Sequence, residues 1–340
     1  MFRISKKYNQ NLITISEEEA AILKETSEKL RLALSFERNF EYLIQNYLDY
    51  ENTIAQKSIG QLVNGPQSID EFDSHITDVT IKLLNLLSTT KAYIDKSPSI
   101  LKKLMGEADL FKIECSLQYD TNFSYRFIDS LRNYAQHNND PLSSLILGGE
   151  WVENENLKYY TNPLIDTKAL RANKKFRKSV LPEYDVKFHL SYCIRRYIES
   201  LSLIHKKMSS SFKAGLDTLC DKSKNILFEK DFKLEEEFIF LYENGEYQSI
   251  CLKMDKYLKF NKKHSRLSNI SNHCVSTCVK NQEKKVIKDL DKIPFNSTEA
   301  EKKYFISMRS NHGEAIASDL ELNTLPKDCK NYFKSLINNY

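Results

Sequence analysis

Glycine and proline are scarce in this chain of 340 residues, which contains 8 glycines and 7 prolines. Because these two residues form most tight turns and break helices, their scarcity favours long helices with few connections. No apolar run approaches the roughly 20 residues that a membrane-spanning helix needs. No glycine-rich loop of the type that cradles phosphates occurs, which leaves an ATPase or a dehydrogenase without support. We therefore expect a mainly helical protein without a membrane span.

The cysteines and the first residues bear on the compartment. Seven cysteines, an odd number without regular spacing, fit reduced and mostly buried thiols better than a disulfide framework. The segment Met1–Lys7 lacks the apolar core of a secretion signal. We therefore expect a cytoplasmic protein, and its net charge of +4 permits an anionic partner without demanding one.

The apolar residues recur mostly at helical spacing. Helices are predicted over about 17–56, as one long helix or two, and over about 68–95, 121–138, 166–181 and 185–208. A separate short helix is predicted from Ser97-Pro98, and further helices near 284–291 and 297–318. Ser16 and Glu19 have the spacing of a capping box at the first helix.

Two segments instead have the pattern of paired strands. Short strands are predicted at 145–147 and 157–160, and Asn244-Gly245 predicts a hairpin between 237–241 and 247–252. The serines 209–211 suggest a boundary between a helical bundle at 1–210, with a short β-hairpin insertion, and an α(+β) C-terminal accessory region at 211–340. The sequence assigns no role to the accessory region.

The predicted helix that ends near residue 138 carries the one chemically suggestive cluster. At 100° per residue, Phe123, Phe127, Leu131 and Tyr134 share one narrow sector and predict the buried face. The opposite side carries six polar residues, namely Arg126, Asp129, Arg132, Asn133, Gln136 and His137.

Such a set suits metal-independent cleavage of RNA. A histidine that titrates near neutrality can take the proton of an attacking 2′-hydroxyl or supply one to the leaving 5′-oxygen. A guanidinium stabilises the charge that gathers on the phosphoryl oxygens. Asn133 can orient the phosphate or fix the imidazole tautomer, and DNA is inert because it has no 2′-hydroxyl.

The run Leu131-Arg132-Asn133-Tyr134-Ala135-Gln136-His137 resembles the signature of the HEPN superfamily of helical ribonucleases and RNA-binding proteins. That signature is an Arg, usually a polar residue next, and a His after four to six intervening residues. The resemblance extends over about residues 15–210, although only the short motif is specific.

The resemblance implies a four- or five-helix bundle in which two copies of the motif meet across a homodimer. It also implies that Arg132 and His137 are catalytic and that Asn133 is auxiliary, while we assign Asp129, Gln136 and Arg126 supporting roles. Such enzymes use no metal or cofactor and are commonly toxins or antiviral effectors, so an antitoxin or another defence protein is an expected partner.

Two details of the family pattern are left open. The toxin branch often carries a Tyr two residues after the His, whereas this chain has Asn139. The family also tends to place a carboxylate on an early helix, for which Glu37 and Glu41 are both candidates. A second Arg–His pair, Arg266 and His273, has the permitted gap but is followed by Leu267 rather than a polar residue.

Other clusters are less specific. The densest basic segment is either an RNA-tracking surface or a solvated helix face, and it comprises Lys168, Arg171, Lys174, Lys175, Arg177 and Lys178. A zinc site is not expected because the usual paired spacing is absent from its candidate ligands, His264, His273, Cys274 and Cys278.

Three functions follow from these patterns. The first is a HEPN-type endoribonuclease that leaves a 2′,3′-cyclic phosphate and a 5′-hydroxyl. The second is a HEPN-like RNA-binding or adaptor protein that does not cleave. The third is a helical interaction protein in which the motif is a coincidence.

Overall fold

The computed structural model describes most of the first 270 residues and two later strands. The described residues are 1–6, 8, 11–64, 68–106, 109–137, 141–152, 156–174, 176–181, 187–232, 239–250, 255–270, 304–309 and 315–320.

Helices dominate this part of the chain, as the sequence predicts. The described helices are α1 (Glu17–Asn64), α2 (Ile69–Met105), α3 (Asp109–Thr121), α4 (Phe123–His137), α5 (Thr167–Ala172), α6 (Leu190–Glu229) and α7 (Asp255–Ile270), with a short 3-10 turn at Lys178–Val180.

The strands form small antiparallel sheets. They are β1 (Phe2–Ser5), β2 (Ile13–Ile15), β3 (Ser144–Val152), β4 (Asn156–Asp166), β5 (Lys187–His189), β6 (Phe240–Glu243), β7 (Glu246–Ile250), β8 (Tyr304–Arg309) and β9 (Ala315–Leu320). Their orders are β2-β1-β6-β7, β3-β4-β5 and β8-β9.

Local signals set several of these boundaries as predicted. At the start of α1, the Glu19 amide donates to Ser16 Oγ at 3.0 Å and the Ser16 amide donates to Glu19 Oε2 at 2.6 Å, which completes the capping box. Between β6 and β7, Asn244 and Gly245 have φ values of 52° and 87°, the left-handed conformation that a two-residue hairpin turn requires. The strand pair predicted from 145 to 160 is confirmed and is longer, as β3 and β4.

The chain divides into two compact units. Unit 1 combines Met1–Glu41, Tyr93–Ile113 and Ile204–Ile270, and its core includes Phe36 and Phe260. Unit 2 contains Tyr42–Ala92, Glu114–Leu203 and the strands after residue 303, and its core includes Phe127 and Tyr197. Helices α1, α2 and α6 therefore contribute segments to both units, and α4 belongs to unit 2.

Several predicted elements are corrected. Helix α2 continues through Pro98, so no separate helix begins there. Residues 304–309 and 315–320 are strands, so the helix predicted over 297–318 is wrong for those positions, and 284–291 lies outside the described residues. Helix α5 ends at Ala172, well short of the predicted 181. The serines 209–211 lie inside α6, where Ser211 Oγ donates to the Met208 carbonyl oxygen at 2.7 Å.

Two further observations concern membrane spans and cysteines. Among the described helices, none combines the length and apolarity required to cross a bilayer. Within the described residues, Cys115, Cys193 and Cys220 form no disulfide.

Candidate functional site

Helix α4 presents the motif, and its start is fixed by Asn122. Asn122 Oδ1 accepts from the amide of Ser124 at 2.9 Å, and its Nδ2 donates to Ser200 Oγ on α6 at 2.9 Å. The side chain therefore caps α4 and ties it to α6. The helix then runs to His137, close to the predicted end at 138.

The predicted buried face of α4 is confirmed, but the opposite side is not simply solvated. Phe123, Phe127, Leu131 and Tyr134 are all buried. Arg132, on the opposite side, is also only 5% exposed. Asn133, the next residue, is exposed. The polar side of α4 is therefore partly covered.

The Arg132 guanidinium is only partly satisfied. Its Nη2 lies 2.9 Å from Asp129 Oδ1, one helical turn earlier, and 3.5 Å from Asn133 Oδ1. Its Nε and Nη1 are buried without a hydrogen-bond partner in the described part of the chain. Because unsatisfied buried donors cost free energy, these two N–H groups need an acceptor from outside that set.

The charge of Arg132 acts on two groups of unit 2, Tyr197 and Cys115. Tyr125 and Tyr197 pack with ring centroids 5.0 Å apart. Burial raises the pKa of Tyr197, while the charge of Arg132 opposes that rise. Burial likewise raises the pKa of the Cys115 thiol to about 11, so this cysteine is a neutral neighbour and not a nucleophile. Among the described residues, Asp129 is the carboxylate that pairs with Arg132.

The structure describes the side chains of only some of the remaining motif residues. Arg126 Nη1 donates to the carbonyl oxygens of Tyr119 at 2.9 Å and Asp120 at 2.7 Å, so this guanidinium satisfies the C-terminal end of α3. The side chains of Gln136 and His137, and Asn139, lie outside the described part of the structure.

The basic segment is anchored on the motif helix. Phe176 packs against Phe127 and Tyr134, with ring centroids 6.3 Å and 5.8 Å apart. Arg177 lies over the Tyr119 ring at 5.3 Å. Exposed cations of the segment are Lys168, Lys174, Arg177 and Lys178, whereas Arg171 is half-buried and Lys175 lies outside the described residues. The segment is mostly a short helix and a 3-10 turn, so it is not one face of a continuous helix.

The two candidate carboxylates on α1 differ sharply. Glu41 is a quarter exposed and pairs with Lys263 and Arg266 on α7. Glu37 is fully buried in unit 1, where its Oε2 lies 3.0 Å from His205 Nε2. Its Oε1 accepts from Ser209 Oγ and lies 3.5 Å from His264 Nδ1.

Proton positions in this Glu37 network follow from the carboxylate. Burial alone would raise the pKa of Glu37, but the donors His205, His264 and Ser209 outweigh it and lower the pKa to about 2. An ionised carboxylate only accepts, so Ser209 donates to Glu37 and His264 Nδ1 donates to Ser209 Oγ, over 2.7 Å. His205 Nε2 also donates to Glu37, and its Nδ1 lies 3.0 Å from the Tyr93 hydroxyl.

The sequence names Glu37 and His264 for other roles and does not predict this network. Phe36 and Phe40 stack on the His205 ring with centroids 4.7 Å and 3.9 Å away. His264 is engaged with Ser209, whereas the other zinc candidates, His273, Cys274 and Cys278, lie outside the described residues.

A second buried polar set in unit 2 is also missed by sequence patterns. Arg195 makes a two-pronged ion pair with Glu51, with Nε–Oε1 at 2.7 Å and Nη2–Oε2 at 2.6 Å, and both side chains are almost completely buried. Arg196 pairs with Glu199 at 2.7 Å. This part of α6 is therefore covered on its polar side as well as on its apolar side.

No protein-family model, curated protein or solved structure matches the chain.

Proposed function

We propose that the chain is a metal-independent endoribonuclease of the HEPN type, in which Arg132 and His137 act on one ribose-phosphate linkage. RNA is cut by attack of a 2′-hydroxyl on the adjacent phosphorus, which leaves a 2′,3′-cyclic phosphate and a 5′-hydroxyl. The oxygen–phosphorus bond to the 2′-oxygen forms as the bond to the 5′-oxygen breaks, and the proton passes from the first oxygen to the second.

The observation that carries this proposal is the incomplete set of partners of Arg132. A guanidinium has five N–H donors in a rigid fork that matches phosphate. Two nitrogens of this guanidinium, Nε and Nη1, are buried without an acceptor among the described residues. A phosphoryl oxygen is an acceptor of the right charge, and it satisfies them most fully when negative charge gathers on it.

Neighbouring groups support the same role. Asp129 holds Nη2 at 2.9 Å and so fixes the direction of the fork. Asn133 is exposed beside it and supplies an amide that can bind a second phosphate oxygen. His137 follows Asn133 by four residues, the spacing of neighbours on one face of a helix. Its imidazole supplies the group that moves the proton.

RNA is held in place, on this proposal, by the basic segment that packs on α4. Its four exposed cations, Lys168, Lys174, Arg177 and Lys178, provide charge that tracks a phosphate backbone without reading bases.

The proposal is tested by incubating the purified full chain with labelled tRNA and mRNA in EDTA. We expect cleavage to persist in EDTA and to fall at least about a hundredfold in His137→Ala, because general acid–base catalysis contributes on that order. His273→Ala is the matched control, since His273 belongs to the second, less fitting Arg–His pair, and it should cleave like the parent. Binding without cutting by the parent would favour the RNA-binding alternative.

Arg132 needs a gentler variant because its side chain is buried. Arg132→Lys keeps the charge but loses the fork, so we expect folded protein with cleavage reduced by about a hundredfold or more. A folded Arg132→Lys protein with the parent's cleavage rate would exclude the proposed role of the guanidinium.

Two copies of the motif sharing one cleft remain part of the proposal. A native mass at the dimer value supports the shared cleft, whereas an active monomer would exclude it.

A further inference from the structure

Three aromatic rings cluster at the surface of the four-stranded sheet in unit 1. Tyr8 lies against Tyr247 and Phe240, with ring centroids 5.6 Å and 6.1 Å apart, and Phe240 lies 6.2 Å from Tyr247. Tyr8 is 61% exposed and Tyr247 is 41% exposed. We refer to Tyr8, Phe240 and Tyr247 as the aromatic patch. Clustered exposed rings on a protein surface are typical of an interaction site.

The register of the strands places a cation on the same face. Arg3 pairs with Tyr242, and Tyr242 pairs in turn with Tyr247. Because paired residues point to one face of a sheet and neighbours along a strand alternate, Arg3 and Tyr247 share a face. Phe240, two residues from Tyr242, lies on it as well.

The carboxylates of this hairpin lie on the opposite face. Glu243 pairs with Glu246 and with Phe2, so both acidic side chains alternate away from the aromatic patch. Glu243 is bound there by Lys24 at 3.2 Å. The two faces of the sheet therefore differ in charge.

Arg3 has no carboxylate partner among the described residues. Its one described polar contact runs from Nη2 to Met1 Sδ at 3.4 Å, and a thioether is a weak acceptor. Arg3 is half-buried. Among the described residues it is therefore a cation without a carboxylate partner, on the face of the sheet that carries the exposed rings.

We propose that the aromatic patch is a platform for single-stranded RNA, with bases stacked on Tyr8 and Tyr247 and a phosphate bound by Arg3. Every base has a π face, so such stacking tolerates any sequence. The planes of Tyr8 and Tyr247 meet at 69°, which suits bases splayed apart and not a continuous stack. The choice of RNA over DNA rests on the proposed nuclease function, whereas the stacking surface itself does not.

The experiment measures fluorescence anisotropy of a labelled oligouridylate of about a dozen nucleotides, with the full chain carrying His137→Ala so that no RNA is cut. We expect the double variant Tyr8→Ala/Tyr247→Ala to raise Kd by about a hundredfold, since each of the two stacked bases contributes about tenfold. Tyr247→Phe should bind like the parent because it keeps the ring. Phe228→Ala is the matched control, because Phe228 is an exposed aromatic (78%) outside the patch and its loss should leave Kd unchanged.

The phosphate contact of Arg3 and the preference for a single strand over a duplex are tested in parallel. Arg3→Ala should reduce the slope of log Kd against log salt by about 0.7, the value for one phosphate contact on a single strand. A duplex of the same length should bind more weakly than the single strand. Binding of the duplex or of the matching deoxyribose strand as tightly as the oligouridylate would overturn the assignment to single-stranded RNA.

Failure of this inference is distinguishable from failure of the proposed nuclease. If the Tyr8→Ala/Tyr247→Ala protein binds oligouridylate like the parent, the platform is excluded whatever the cleavage assay shows. Patch-dependent binding in a protein that does not cleave would support the platform and exclude the nuclease. Patch residues that bind another protein and not RNA would likewise leave Kd unchanged in the double variant and overturn the inference.

Discussion

Glu37 illustrates how a single buried carboxylate depends on its donors. It is fully buried, and each of its oxygens accepts from a side chain of α6. Removal of one member of such a network leaves the others buried without a partner, which costs more than the missing hydrogen bond itself.

Glu37→Gln should therefore lower the free energy of unfolding at pH 7 by about 3–5 kcal/mol. Glu41→Gln is the matched control, because Glu41 is partly exposed and its loss should cost about 1 kcal/mol or less. Urea denaturation of both variants measures the difference. Equal effects of the two substitutions would contradict the role given to the network.

The same residue predicts an acid dependence. The pKa of Glu37 lies near 2 in the folded chain, below its ordinary value of 4.5. Its ionised form therefore stabilises the protein fully above pH 4.5, and that contribution is lost as the pH falls toward 2. Urea midpoints across this interval should fall less steeply for Glu37→Gln than for the parent. An unchanged slope would show that Glu37 does not titrate in this way.

Arg126 differs from the other residues suggested for the site, because its described contacts stabilise the end of α3. Since it donates to two carbonyl oxygens at the end of α3, Arg126→Ala should lower stability by about 1–2 kcal/mol. The cleavage rate of the folded protein should not change. Lys112→Ala, an exposed cation on α3, is the control for stability. A loss of cleavage without a loss of stability would contradict this structural role and support a role of Arg126 in the proposed site.

Among the elements, α6 is the one whose surroundings are least predictable from the sequence. Residues 191–200 are all buried, so this part of α6 is enclosed on every side although it carries two arginines and a glutamate. Periodicity reveals its apolar stripe, because apolar residues recur every three or four positions. It does not reveal that Arg195 finds Glu51 on α1, a partner 144 positions away.

The Arg195–Glu51 pair gives a test by double substitution. Arg195→Met alone should lower the free energy of unfolding by about 3–5 kcal/mol, because Glu51 is left buried and charged. Adding Glu51→Leu should recover most of that loss, since apolar groups of similar volume often replace a buried pair without cost. Chemical denaturation of the single and double variants decides between this and additive losses, which would contradict the pairing.

Local signals in the sequence predict much of the element boundaries. The Ser16–Glu19 capping box and the Asn244-Gly245 turn both act through residues within three positions. Sequence patterns do not predict contacts between residues that lie far apart in the chain. Ser209 is predicted to mark a domain boundary. Inside α6, however, its hydroxyl donates to Glu37 and accepts from His264.

In the candidate site, too, local features are predictable from the sequence and contacts between distant residues are not. The sequence identifies α4 and its apolar face because both follow from helical periodicity. It cannot predict that Arg132 is buried, since that depends on the packing of other elements of unit 2, including Tyr197, around the helix. It also does not distinguish Glu37 from Glu41, because their partners lie on α6 and α7.

For the whole molecule, the proposed function requires that RNA be held by charge on unit 2. Replacing Lys168, Lys174, Arg177 and Lys178 by Ala should reduce the salt slope of RNA binding by about 0.7–0.9 for each phosphate that is no longer neutralised. A control with four exposed lysines of unit 1 replaced, at 102, 103, 222 and 262, should keep the parent slope. Anisotropy titrations at several salt concentrations measure both proteins, and equal slopes would exclude the basic segment as an RNA-binding surface.

The most direct test of the central claim is the chemistry of the cut ends. An RNA with one 2′-methoxy group at its cleavage site should remain intact in EDTA, while the unmodified RNA yields a 2′,3′-cyclic phosphate and a 5′-hydroxyl. Mass spectrometry of the products, with parent and His137→Ala protein side by side, identifies these ends. Products that carry a 3′-hydroxyl and a 5′-phosphate, or cutting of the methoxy-blocked site, would contradict attack by the 2′-hydroxyl.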